Sequence, residues 1–112
     1  MSTSMHVIVG GPDEDGIADA LEAEGATVNR ITGVISRPAL EAAGIVDAEL
    51  YVLTDLEQAT TVPIAHSLTD NDDLRSVTYD RRSIPEFITR QLDLAIDPEL
   101  MDPSIVAEEL VG

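Results

Sequence analysis

Short apolar runs closed by glycine, proline or acidic clusters alternate along this chain with stretches whose apolar residues recur every three or four positions. Met5 to Val9 (MHVIV) is β-branched and ends in Gly10-Gly11-Pro12, which predicts a buried strand and a tight turn. From Glu14 to Glu24 the residues Ile17, Ala20 and Leu21 form a helical stripe, with Gly25 as its stop. Thr27 to Ile31 reads as a more polar strand suited to a sheet edge, and Ser36 with Pro38 starts a short helix through Ala43, closed by Gly44. Leu50 to Leu53 (LYVL) predicts a third, buried strand. Thr54-Asp55-Leu56-Glu57 then reads as a capping box for a helix carrying Leu56, Ala59, Ile64 and Leu68, divided by Pro63.

After the solvated turn Asp70-Asn71-Asp72-Asp73, Leu74 to Tyr79 forms strand four, and Ser83-Ile84-Pro85-Glu86 opens a helix expected to bury Ile84, Phe87 and Ile88. Leu94 to Ile96 is a fifth strand, and Asp102-Pro103 begins a last helix holding Ile105, Val106 and Leu110. Tyr51, Tyr79 and Phe87 are placed in the core. Strand and helix alternate to the end, so right-handed crossovers build a parallel sheet covered on both faces. Ligands of such sheets lie at the carboxyl ends of the strands where the winding reverses, here between strands one and three.

A chain of 112 residues supports one domain, taken as residues 1–112. Its charge changes the list of partners: six arginines and no lysine face 22 acids, for a net charge of −16. Nucleic acid and anionic membrane surfaces are disfavoured, and no apolar run approaches the ~20 residues of a spanning helix, so membrane insertion is not expected. Without cysteine there is no disulfide, thiol nucleophile or thiolate metal site. The first residues do not read as a signal peptide, and a cytoplasmic location is expected. A hydrophobic fraction of 44% is that of a folding chain, and the carboxylates are scattered rather than gathered in a tail. Such a surface suits salt: at about 1 M the Debye length is ~3 Å, which screens its self-repulsion, and the expectation is a halophilic protein.

Three runs carry a family resemblance: Leu40-Glu41-Ala42-Ala43-Gly44-Ile45-Val46-Asp47-Ala48, Leu50-Tyr51-Val52-Leu53-Thr54-Asp55, and Leu92-Asp93-Leu94-Ala95-Ile96-Asp97-Pro98-Glu99. With the first strand and helix they resemble the TrkA-N, or RCK, regulatory domain of potassium channels and uptake systems. The resemblance implies a Rossmann-like three-layer sandwich that binds NAD(H) or another adenine nucleotide, forms a homodimer, and regulates a transporter or channel partner. The helix and strand that usually follow the second strand are missing here, which leaves five parallel strands in the order 2-1-3-4-5.

The family's glycine fingerprint would begin at Gly11, but Gly11-Pro12-Asp13-Glu14-Asp15-Gly16 puts Asp13 where a glycine lets pyrophosphate approach the backbone. Thr32 stands where the family's ribose-binding acid ends strand two. Small halophile proteins of this pattern are sometimes labelled CTP synthetase; this chain has neither the P-loop nor the lysine and cysteine such an enzyme needs.

Asp13, Asp15, Asp55 and Asp97 all follow strands at the crevice end, an oxygen-rich set suited to Mg²⁺ or Ca²⁺. The same layout resembles a phosphoacceptor receiver domain with Asp55 as acceptor, except that Asp97 precedes Pro98 where receivers carry lysine. Arg30, Arg37, Arg81 and Arg82 are expected near one edge of the sheet, pairing with acids such as Asp13, Glu14 and Asp80 or clamping an anion. His6 and His66 have no carboxylate or second histidine at triad or metal-ligand spacing.

The expectation is a small, non-catalytic, Rossmann-like regulatory or ligand-binding protein with a degenerate nucleotide-binding loop. Any ligand is expected against Gly10, Gly11, Asp13, Gly16, Thr32, Thr54 and Asp55, with Arg81 or Arg82 across from them. The alternatives are a working NAD, ATP or AMP sensor regulating ion transport, and a Mg²⁺-dependent acidic-cluster enzyme or receiver-like domain.

Overall fold

The computed structural model describes residues 4–111, so the domain expected over 1–112 includes residues 1–3 and 112, which lie outside them. Five parallel strands, β1 (His6–Gly10), β2 (Thr27–Ile31), β3 (Leu50–Leu53), β4 (Arg75–Tyr79) and β5 (Leu94–Ile96), stand in the order β2-β1-β3-β4-β5. The expected architecture is therefore present, with the reversal of winding between β1 and β3. β3 is buried at all four positions because both its faces are covered, which is why its sequence is continuously apolar rather than alternating. β2 and β5, at the edges, are largely exposed.

The pleat divides the core in two. Ile8, Tyr51 and Leu53 pack on one face beneath α2 (Arg37–Ala42), α3 (Thr61–Leu68) and the 3-10 helix Glu86–Gln91. Val7, Val9, Leu50, Val52, Val77 and Tyr79 pack on the other beneath α1 (Ile17–Ala23) and α4 (Pro103–Val111). Burial pushes the Tyr51 phenol up to about 12, against the opposing pull of its 2.7 Å hydrogen bond with Thr61. Arg75, at the start of β4, donates to the Leu110 carbonyl at 2.8 Å, placing a cation at the end of the last helix.

Four local expectations are corrected. Phe87 is 60% exposed: the segment after β4 winds as a 3-10 helix, whose three-fold repeat turns Ile88 inward and Phe87 out. Thr54 does not cap the segment after β3. Asp55 does, accepting from the Glu57 amide, and the 3-10 turn Leu56–Gln58 precedes α3. The break accordingly falls ahead of Pro63, which sits in the first turn of α3 where its missing N–H costs nothing. The arginines do not share an edge, since β2 and β4 are separated by β1 and β3.

Thr78 is fully buried on β4, and its hydroxyl has no hydrogen-bond partner among the described residues. An orphaned buried polar group costs ~1–3 kcal/mol, so the near-isosteric Thr78→Val is expected to raise unfolding stability by about 1 kcal/mol. Urea titration in about 2 M KCl, where surface charge is screened, measures it. A comparable loss instead would mean that the hydroxyl is bonded.

Candidate functional site

The loops at the carboxyl ends of the strands meet around two cavities that share Pro12, one toward β4 and β5 and one toward β2. The first, of about 300 Å³, is lined by Asp13, Thr54, Tyr79, Asp80, Arg81 and Arg82 among others. The second, of about 750 Å³, is lined by Thr32, Val34, Asp55, Glu57 and Gln58. The residues expected around a single crevice thus divide between two. Gly10 and Gly11 are buried behind them, and Gly16 caps α1 with a left-handed φ of 77°.

Asp13 is committed to its own helix. Its carboxylate accepts from the Ile17 amide at 2.7 Å and from the Ala18 amide at 3.0 Å, the first free N–H groups of α1. Thr54 closes the gap between β1 and β3, donating to the Gly10 carbonyl and contacting that of Pro12. The close approach requires glycine: at Gly11 φ is +103°, and a Cβ would lie 2.6 Å from the Thr54 hydroxyl.

Arg82 binds the remaining acids at the reversal point. One of its terminal nitrogens lies 2.7 Å from Asp80 Oδ2 and 2.9 Å from Asp55 Oδ1, and its Nε also donates to Asp80. Asp80 accepts in addition from the Leu56 amide at 2.8 Å, which ties the β4 loop to the end of β3. Burial pushes the Asp80 carboxyl upward, but the Arg82 guanidinium and the Leu56 and Arg82 amides outweigh it and hold the group below its ordinary value. Sequence reasoning had placed Asp80 only among the acids that arginine neutralises; its central part here depends on β3 and β4 being neighbours. Arg81 pairs with Glu99 at 3.2 Å and Asp15 at 3.8 Å. Tyr79 closes the floor, its hydroxyl donating to the Met101 carbonyl at 2.8 Å; burial, then the Asp15 and Asp102 carboxylates, pushes its phenol up.

The four acids expected to gather as a cation site are spread over separate tasks: Asp13 on α1, Asp15 beside Arg81, Asp55 beside Arg82, and Asp97 accepting from the Glu99 amide. Among the described residues, no group of three or more carboxylates or imidazoles is placed to hold a metal ion.

The histidines are less isolated than their spacing suggested. Asn29 Nδ2 donates to the Ala43 carbonyl, which orients its amide, so His6 Nε2 accepts from it at 3.0 Å and His6 Nδ1 faces Asp47 at 3.4 Å. His66 meets the buried Ser76 hydroxyl at 2.6 Å. The His6 contacts join elements far apart in the chain, where spacing carries no signal, and the His66 contact joins α3 to the strand that follows it.

A family model described as a family of unknown function, DUF7126, matches residues 7–110. HP1043, an orphan response regulator of H. pylori, is similar in fold, with a TM-score of 0.69 at 12% identity over 96% of this chain and 93% of that one. No curated protein matches the chain in sequence. Among the described residues no helix is long and apolar enough to cross a membrane.

Proposed function

The chain belongs to the DUF7126 family, and from its site we propose a non-catalytic regulatory domain that works through protein contacts rather than through a bound dinucleotide. The contacts are with a second copy of itself and with a transporter or channel, as the TrkA-N resemblance implies. One observation carries this reading: the Asp13 carboxylate sits on the α1 amides where a Rossmann-like domain receives pyrophosphate. An incoming phosphate would have to displace a tethered anion of its own sign. The Thr54 closure supports the same conclusion, because it ties the end of β3 to the β1 loop where the expected single crevice is divided into two cavities.

The test is thermal unfolding in about 2 M KCl, which screens surface charge, with NAD, NADH, ATP, AMP and Mg²⁺ in turn. Tm is expected to stay unchanged with each. A ligand at 100 times its dissociation constant adds ~2.7 kcal/mol, so a reproducible rise with any nucleotide would sink the proposal and restore the sensor reading. A second reading, a receiver-type domain, is favoured by the position of Asp55 beside Thr54 at the end of β3, with its side chain 17% exposed. Arg82 stands against that carboxylate in this fold. A Tm rise confined to Mg²⁺ with beryllofluoride would favour this second reading.

A further inference from the structure

The two edges of the sheet differ in character. β2 shows solvent Thr27, Asn29 and Arg30, whereas β5 shows Leu94, 47% exposed, and Ala95. Leu94 pairs in register with Val77 and therefore lies on the α4 face, where Ile105 is also exposed. Ala95 pairs with Thr78 and lies on the opposite face, that of the 3-10 helix Glu86–Gln91, where Phe87 is exposed. β5 is thus a short strand edge, flanked by Asp93 and Asp97, with exposed apolar side chains on both its faces.

A second observation concerns charge. With 22 acids and six arginines, cations are scarce, and five of the six are in use: Arg30 on the Gly11 carbonyl, Arg37 on Ser67, Arg75 on Leu110, and Arg81 and Arg82 on carboxylates. Arg90 alone makes no hydrogen bond or ion pair among the described residues, and it lies exposed on the 3-10 helix that precedes β5 and packs against α3. Glu86 stands exposed at the other end of that helix.

We propose that β5 is the surface through which two copies of this chain associate, edge to edge about a twofold axis, with Arg90 of each copy set against the partner's Glu86. Antiparallel pairing of two β5 edges about an axis normal to the sheet keeps like faces together and reverses direction in the plane. Each 3-10 helix then lies beside its mate running the other way, which brings a basic end to an acidic end twice, while the flanking Asp93 and Asp97 come opposite each other across the seam and repel until salt screens them. The acidic surface opposes the approach of two copies at long range, so association strengthens as salt shortens the Debye length from ~10 Å at 0.1 M to ~3 Å at 1 M. The inference rests on the reading that the domain works through protein contacts and names one of those contacts.

Sedimentation equilibrium of the full chain, from about 0.1 to 2 M KCl across that screening range, tests it. The wild type is expected to reach twice the monomer mass, with association increasing with salt. At the lowest salt that supports the dimer, Arg90→Glu is expected to weaken it by about tenfold, and Glu86→Arg combined with Arg90→Glu to restore it. Leu94→Glu is expected to abolish it while leaving Tm in place, since that side chain is half exposed. A monomer at every salt concentration overturns the proposal, as does a dimer indifferent to both Arg90→Glu and Leu94→Glu. Neither result bears on nucleotide binding, and a nucleotide-induced rise in Tm leaves the mass measurement standing.

Discussion

Gly11→Ala is expected to lower unfolding stability by about 3 kcal/mol, from a left-handed backbone cost of ~1–2 and an overpacking cost of ~1–3, less a small gain from stiffening the unfolded chain. The new Cβ would meet the Thr54 hydroxyl at 2.6 Å, Asp55 Cβ at 3.1 Å and the Asp55 amide nitrogen at 3.3 Å. The hydroxyl has no free direction to turn in, because the Gly10 and Pro12 carbonyls already hold it. Gly16→Ala is the internal control: its φ is +77°, yet nothing lies within 4 Å of the added carbon, so it bears the backbone cost alone. Chemical denaturation of the two variants side by side separates the terms. Equal losses would mean that the β1 turn and Thr54 are not in contact.

Arg82→Ala should cost about 2 kcal/mol at neutral pH. Breaking a buried ion pair costs ~3–5 kcal/mol, and the figure is reduced here because the guanidinium is 48% exposed and partly screened by water. What the variant leaves behind is less exposed: the Asp80 side chain is 9% exposed and Asp55 17%. The pH dependence follows from the depressed carboxyl of Asp80. A carboxyl lowered in the folded state contributes stability above its unfolded value of ~3.9 and loses it as the pH falls through the lower folded value. The gap between wild type and Arg82→Ala is therefore widest at neutral pH and closes below about pH 4. A gap constant from neutral to acid pH would show that Arg82 stabilises by packing alone.

What the sequence made legible was local. β2, β3 and β5 begin and end at the expected residues, and β1 is displaced by one, because a short β-branched run between turn residues has few other ways to bury itself. The strand order was legible as well, since parallel crossovers leave few topologies. Ser36 caps α2 as its position suggested. The site was legible as a place and not as a set of bonds. Asp13, Thr54, Arg81 and Arg82 line one cavity at the reversal of winding and Asp55 lines the other, and the partners they choose, such as Asp80 for Arg82, depend on which strands end side by side. Phe87 was misplaced because a 3-10 and an α-helix differ by about half a residue per turn, too little for one short amphipathic segment to distinguish.

The place of β1 between β2 and β3 has a consequence for how the chain comes off the ribosome. Of these five strands the first made is one that must end up inside, and for some time its only available neighbour among them is β2. Val7 finds Leu50, and Gly10 finds Leu53, only after β3 has been synthesised. At ~5–20 residues per second that is a delay of a few seconds, during which one flank of an apolar strand has nothing beside it.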